Sequence, residues 1–263
     1  MDKGLQVGFG EPVGAAVMTD LYALGVRMAR LDMQPVTDPA LFEAITREAL
    51  VAGLRPLLII RPDQAAWLPD TPMLDLEVLN EPEIRQPPIS PERYAAMVNA
   101  VYPVARHHRI WCGSISNLIP KRLAWLARVL ALVPPDVGVT VHRYPKNGAM
   151  PNAPQEGFKT RDAEMAALRR VVGNRPWGCS EFGYHTGPQK TGWWFWTRRW
   201  SWTDTQVAAF ARADWLRWNA AGAQFAVWYQ VGDPPPMTDP YLYGIRAFDG
   251  TWKPVSETFR EAV

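Results

Sequence analysis

The feature that most constrains the fold is a join between helix and strand that occurs four times along the chain. In each join an apolar, helix-like segment ends in a glycine, and a strand-like segment follows within a few residues. The four glycines are Gly25, Gly53, Gly173 and Gly222. Glycine just past a helix adopts the left-handed conformation at no steric cost, which ends the helix and lets the chain extend. The joins predict a fold in which helices and strands alternate throughout.

Eight short apolar segments, bounded by glycine and proline, fit the strands of such a fold. They are residues 5–9, 26–33, 56–60, 74–79, 110–113, 137–142, 177–181 and 225–229. Several are apolar throughout, which is typical of parallel strands covered on both faces. Helical patterns lie between them, and two of these helices begin with the capped starts Asp38-Pro39 and Ser90-Pro91.

The length of 263 residues decides how these units are arranged. A (β/α)₈ barrel takes about 250 residues, so eight units use nearly the whole chain and leave only short loops. A doubly wound sheet needs a Gly-x-Gly-x-x-Gly turn after its first strand, and Gly8-Phe9-Gly10 lacks the third glycine. We therefore predict the α/β class, with a single (β/α)₈ TIM barrel forming one catalytic domain over residues 1–263.

Composition excludes several classes of function. A formal charge of +2 is too small to indicate nucleic-acid binding, and no stretch approaches the roughly 20 apolar residues of a membrane span. Two cysteines cannot build a disulfide scaffold, and no Cys/His cluster has the spacing of a zinc site. Cys112 and Cys179 lie in different apolar strands, so we expect both to be small buried core residues.

The candidate chemistry lies where strands end, because the active site of a barrel of this type is formed at the carboxyl ends of its strands. Glu81 ends the fourth strand and Glu181 ends the seventh. Two facing carboxyl groups suit glycosidic bond cleavage, in which one donates a proton and the other attacks the anomeric carbon. Glu77 shares the strand parity of Glu81, and we interpret it as a paired interior carboxylate.

These segments carry a family resemblance that spans the chain. Asn80-Glu81-Pro82 resembles a strand end of the clan of retaining (β/α)₈ glycoside hydrolases that includes the cellulase family, family 5. Glu181-Phe182-Gly183 resembles the clan's nucleophile strand, and His142-Arg143-Tyr144 its His-x-Tyr strand. Val227-Trp228 is similar to the eighth strand, and residues 243–254 are similar to the closing segment.

The resemblance implies a role for each matching residue. Glu81 would be the general acid/base and Glu181 the nucleophile, while Asn80 would bind the sugar 2-hydroxyl. Arg30 and Tyr144 would keep Glu181 ionised. His142 would contact the acid or the sugar, and Trp228 would form the floor on which the sugar stacks.

Two departures leave the family within the clan open. The third strand ends in Arg61-Pro62-Asp63 where family 5 commonly has a histidine nearby, and the second reads Arg30-Leu31-Asp32 where Arg-x-Pro is usual. Family 39 and related members therefore remain alternatives.

Tryptophan is concentrated after the seventh strand, on the face where the active site is expected. Five of the 13 tryptophans fall within residues 193–202. We predict that Trp193, Trp194 and Trp196 form sugar-stacking walls beside the cleavage point. The interleaved Arg198 and Arg199 would recognise an acidic sugar or cover the aromatic faces. Trp125, Trp215 and Trp218 are placed on helices as packing residues.

The sequence therefore predicts a retaining β-glycoside hydrolase that cleaves a β-linked polysaccharide or oligosaccharide internally, as a monomer and without metal or organic cofactor. An exo-β-glycosidase, a transglycosylase and a catalytically silent sugar-binding barrel are the alternatives. A lyase or aldolase would need a strand-end lysine or clustered metal ligands, which the predicted strand ends lack. No secretory signal is expected in this sequence, although a polymer substrate argues for action outside the cell after export, lysis or trimming.

Overall fold

The protein is a closed barrel of eight parallel strands. The computed structural model describes residues 1–8, 13–71, 73–145, 150, 153–187, 189–191, 198–233 and 242–261, with the backbone alone for 189–191 and 198–200. Around the barrel the eight strands follow one another in the order in which they occur along the chain. Every predicted strand is present, and the predicted (β/α)₈ fold is confirmed.

The elements alternate along the chain as the glycine joins predict. The barrel strands are β1 (Asp2–Gly8), β2 (Met28–Asp32), β3 (Arg55–Ile60), β4 (Asp75–Val78), β5 (Arg109–Ile115), β6 (Gly138–Arg143), β7 (Trp177–Phe182) and β10 (Phe225–Trp228). The helices are α1 (Ala15–Ala23), α2 (Pro39–Val51), α3 (Pro91–Val101), α4 (Pro120–Leu130), α5 (Arg161–Val172) and α6 (Asp204–Ala220). Short 3₁₀ helices lie at Pro62–Trp67, Pro82–Ile84 and Pro254–Phe259, and β8 (Gln189–Thr191) pairs antiparallel with β9 (Arg198–Trp200).

Local chemistry explains where these elements begin and end. The four join glycines have φ of 98°, 79°, 62° and 80°, as predicted. At Gly25 the backbone also passes close to the C-terminal segment, where an added Cβ would lie 2.7 Å from the carbonyl oxygen of Phe259. The side chain of Asp38 caps α2 by accepting from the amide of Ala40, and the Ser90 side chain caps α3 in the same way.

The core consists of two clusters of apolar side chains, and polar groups occupy the upper end of the barrel. Inside the barrel, the buried side chains of Met28, Leu57, Trp111, Phe225 and Val227 form a plug. A larger cluster, to which Trp215 and Trp218 belong, packs the helices onto the strands. Cys112 and Cys179 are buried and free, as expected. Among the described residues, no helix combines the length and apolarity that a membrane crossing requires.

Candidate active site

Two carboxyl groups face each other at the mouth of the barrel. Glu181 lies at the end of β7, and Glu81 follows β4 in the left-handed conformation, with φ of 47°. One oxygen from each carboxyl group and one ring nitrogen of His142 all lie within 4.8 Å of one another. The Nδ1 atom of His142 is 3.0 Å from Glu81 Oε1 and 3.5 Å from Glu181 Oε2. The two glutamates selected from the sequence are therefore brought together, with the histidine between them.

A bulge in β7 turns Glu181 toward the barrel interior. Gly178 faces inward, since a Cβ there would meet the Phe225 ring of the plug. Strict alternation would place Glu181 on the opposite, helix-facing side. The pairing with β6 instead shifts between Cys179 and Glu181, and the pairing with β10 shifts there as well. The extra residue re-aims the carboxyl group, which is a common use of bulges near active sites.

The environment of Glu181 favours its ionised form. Its Oε1 accepts a hydrogen bond from Arg30 Nη1 at 2.5 Å, and its Oε2 accepts one from the Tyr144 hydroxyl at 2.8 Å. Burial alone raises the pKa of Glu181, but the charges of His142 and Arg30 and the hydrogen bonds from Tyr144 and Arg30 outweigh burial. The pKa of this carboxyl group is therefore lowered below its usual value.

Arg30 is the centre of a buried network that joins four strands. Besides Glu181 it donates to Glu77 Oε2 at 2.7 Å, to Gln6 Oε1 at 2.8 Å and to Asn80 Oδ1 at 2.7 Å. Its side chain is 1% exposed, and that of Glu77 is not exposed at all. The interpretation of Glu77 as a paired interior carboxylate agrees with this ion pair.

Asn80 and His142 are fixed by a shared serine. Asn80 Oδ1 accepts from Ser114 Oγ at 3.1 Å as well as from Arg30, and Ser114 Oγ lies 2.9 Å from His142 Nε2. Burial lowers the pKa of His142, but the Glu181 charge and the hydrogen bond to Glu81 raise it above its usual value. The amide oxygen of Asn80 thus accepts two hydrogen bonds from within the protein, and its NH₂ group is the part that can bind a ligand.

The same cluster contains the residue types that bind metal ions. Glu81, His142 and Glu181 are the one group of three acidic or histidine ligands that comes together in the described part of the chain. However, Arg30 contacts Glu181 Oε1 directly, and its Nη2 lies 3.4 Å from His142 Nε2. A divalent cation between these ligands would be repelled by the guanidinium, so the arrangement suits a sugar better than a metal.

The prediction that Trp228 forms the sugar floor is wrong. Its side chain is fully buried, packs against Phe182 and Tyr184, and donates from Nε1 to the Tyr243 carbonyl at 2.9 Å. The reason is strand parity: Phe225 and Val227 face the barrel interior, so Trp228 faces the helices.

The aromatic surface beside Glu181 comes from tyrosines that the sequence did not single out. Tyr229 and Tyr243 are half-buried, and their ring centroids lie 6.2 Å and 5.6 Å from that of Tyr144. Alternation from Phe225 and Val227 would have identified Tyr229, while nothing in the local pattern marks Tyr243. His185, three residues beyond the end of β7, is buried and packs on Tyr243 with centroids 5.1 Å apart.

The tryptophan-rich stretch after β7 is only partly among the described residues. Trp193, Trp194 and Trp196 lie outside the described residues. Trp202, at the end of the same stretch, is half-buried and packs edge-on against Phe210 with centroids 5.0 Å apart. Trp125, Trp215 and Trp218 pack on helices as predicted.

Comparison with known proteins identifies the fold. A family 39 glycoside hydrolase from Bacteroides cellulosilyticus WH2 superposes with a TM-score of 0.65 at 16% identity, over 97% of this chain and 61% of that chain. A family 17 β-1,3-glucanosyltransferase from Rhizomucor miehei gives 0.65 at 15% identity, over 95% and 96%. An endocellulase from the archaeon Pyrococcus horikoshii gives 0.60 at 15% identity, over 98% and 91%. The chain shares the (β/α)₈ barrel fold of these three proteins.

Sequence comparison adds no assignment. No protein-family model matches the chain, and no curated protein matches it. The (β/α)₈ glycoside hydrolases that the sequence motifs resemble are found only by comparison of structures, at 15–16% identity among the three named above.

Proposed function

We propose that this protein is a retaining β-glycosidase that acts on a β-linked oligosaccharide or polysaccharide. The observation that carries the proposal is that oxygens of Glu81 and Glu181 lie within 4.8 Å of each other. Retaining enzymes hold their carboxyl groups about 5–5.5 Å apart, whereas inverting enzymes need about 6.5–9.5 Å to admit a water molecule. The spacing supports direct attack by one carboxylate.

The contacts of the two glutamates support different roles. Glu181 is buried beside Arg30 and Tyr144, which suits a nucleophile that must be ionised. Glu81 has neither partner, and its side chain is 26% exposed, so it can exchange a proton with water. We assign Glu81 as the general acid/base, with His142 oriented against it at 3.0 Å.

The reaction follows from these assignments. Glu181 attacks the anomeric carbon while Glu81 protonates the leaving oxygen, which gives a covalent glycosyl-enzyme. Glu81 then removes a proton from water, which attacks the same carbon and releases Glu181. The NH₂ group of Asn80 would bind the 2-hydroxyl. These steps need only the side chains of the site.

Internal cleavage is the preferred mode, and transfer to a sugar is the second candidate. The structural neighbours include an endocellulase and a β-1,3-glucanosyltransferase, which supports either outcome for the same intermediate. In transglycosylation a sugar hydroxyl takes the place of water in the second step. The half-buried Tyr229 and Tyr243 beside Glu181 offer aromatic surface for a bound sugar.

Azide rescue tests the proposal. We expect Glu181→Ala to lose hydrolysis of aryl β-glycosides and to recover turnover in azide, giving the inverted α-glycosyl azide. Glu81→Ala serves as the matched variant, because with an activated leaving group its rescue should give the retained β-glycosyl azide. NMR of the products distinguishes the two.

The same assays separate the alternatives. A rapid fall in polysaccharide viscosity supports internal cleavage, release of single sugars supports an exo mode, and products longer than the substrate support transfer. Wild-type protein that binds but cleaves nothing across a panel of aryl glycosides and polysaccharides would leave the sugar-binding barrel as the correct description.

A further inference from the structure

A groove of about 450 Å³ lies outside the mouth, beside the loop that follows Glu81. One wall is formed by Glu83 and Ile84 of that loop, and the other by residues of α4. Glu83 comes only two residues after the candidate acid/base. The groove therefore lies beside the loop that carries the candidate acid/base.

The α4 wall carries three cations: two flank an aromatic ring along one helix face, and the third, Arg122, pairs with Glu83. Lys121, Trp125 and Arg128 all line the groove, and their spacing of four and three residues puts them on one helix face. At about 1.5 Å of rise per residue this stripe is about 10 Å long, which matches a short run of linked sugar rings.

Trp125 is held as a rigid platform. Its Nε1 atom donates to the carbonyl of Ile89 at 3.0 Å, and its ring packs on Tyr94 with centroids 5.3 Å apart. The residue remains half-buried and lines the groove with the exposed Ile84. An aromatic ring fixed in advance binds the apolar face of a sugar without an ordering cost.

The charges of the groove favour an acidic ligand. Within the described part of the chain, Lys121 has no carboxylate within 4.0 Å, and Arg128 pairs with Glu92 at a site where both side chains are more than half exposed. Such exposed pairs contribute little and exchange readily with other anions. The carboxylate of Glu83 is 4% exposed and accepts from the amide and hydroxyl of Ser116, so it is directed into the protein.

We infer that this groove binds an acidic oligosaccharide, with a sugar ring on Trp125 and its carboxylates or sulfates on Lys121 and Arg128. The inference rests on the proposed function, because it extends the glycosidase cleft and gives the substrate a negative charge. Neither Lys121 nor Arg128 contacts the catalytic glutamates, so the groove can be altered without changing the reacting groups.

Calorimetric titration of the Glu181→Ala variant tests the groove with two ligands that share a β-1,4-linked backbone. They differ at C6, where one has a carboxylate and the other a hydroxymethyl group. The probes are a hexasaccharide of β-1,4-linked glucuronate and cellohexaose. We expect Lys121→Ala with Arg128→Ala to weaken glucuronate binding at least tenfold and to change cellohexaose binding less than twofold. Trp125→Ala should weaken binding of the glucuronate hexasaccharide, and Trp125→Phe should restore part of it.

Arg47→Ala is the matched control. Like Arg128, Arg47 is an exposed helical arginine paired with a glutamate, at 2.6 Å from Glu43, but it lies on α2. The inference is overturned if the glucuronate hexasaccharide does not bind, if Arg47→Ala weakens its binding as much as Lys121→Ala with Arg128→Ala does, or if both ligands weaken together. Failure of the proposed function is seen separately, as absence of aryl β-glycoside hydrolysis by the wild-type protein.

Discussion

Replacing Tyr144 with phenylalanine should move the acid limb of activity to higher pH. The change removes the hydroxyl that donates to Glu181 Oε2 at 2.8 Å. It keeps the ring that packs edge-on against Tyr229 and Tyr243, with centroids 6.2 Å and 5.6 Å away. The perturbation is thus confined to one hydrogen bond to the proposed nucleophile.

The expected size follows from the strength of that bond. A hydrogen bond to a charged group contributes about 1.5–3 kcal/mol, and one pKa unit corresponds to about 1.4 kcal/mol. The pKa of Glu181, which its neighbours hold below the usual value, should therefore rise by about one to two units on this scale. Because Glu181 must be ionised to attack, activity is lost as pH falls through this pKa, and a higher pKa moves that loss to higher pH.

The assay is kcat/KM for an aryl β-glycoside as a function of pH. Tyr184→Phe is the control, because the Tyr184 hydroxyl also donates to a buried carboxylate, Asp214 Oδ2, at 2.5 Å. We expect Tyr184→Phe to lower stability without moving the acid limb. An acid limb at the same pH in Tyr144→Phe and wild type would refute the role given to this hydrogen bond.

Three further changes have definite expected outcomes. Arg30→Lys keeps the charge but loses the forked guanidinium group that reaches several acceptors. We expect kcat/KM to fall about 100-fold or more, which corresponds to a loss of about 2.7 kcal/mol of transition-state stabilisation. Unchanged kinetics would contradict the role given to Arg30. Trp228→Phe should lower the free energy of unfolding by about 1–3 kcal/mol and leave KM unchanged, whereas Tyr243→Ala should raise KM. A raised KM in Trp228→Phe would instead indicate that Trp228 binds the sugar. Gly25→Ala should lower the urea midpoint more than Gly222→Ala, since a Cβ meets the Phe259 carbonyl at 2.7 Å in the first and nothing within 4 Å in the second.

The fold could be predicted because its signals are local. A glycine after an apolar helix and a proline after a capping side chain act within a few residues, and they mark the elements wherever the chain goes. The glutamates could also be found, because each directly ends an apolar strand. A catalytic role for them could be proposed once the strands were placed in a barrel, whose carboxyl ends form one face.

What the sequence did not reveal depends on contacts between strands. The orientation of Trp228 follows from the parity of Phe225 and Val227, which the burial of the plug makes visible. The inward orientation of Glu181 requires a bulge, and bulges are set by pairing with both neighbours. Ser114, with φ of 45°, lies at a similar irregularity in β5, and its hydroxyl links Asn80 to His142.

Arg30 shows why the site must be built by the whole barrel. Its guanidinium reaches Gln6 on β1, Glu77 on β4 and Glu181 on β7, with Asn80 just beyond β4. Burying an arginine is costly unless its donors are used, and here the acceptors come from three separate segments of the chain. The two carboxylates raise the pKa of Arg30 above its usual value, despite burial, so the charge remains in place. The same guanidinium therefore contacts both Glu77 and Glu181, and its charge contributes to the lowered pKa of Glu181.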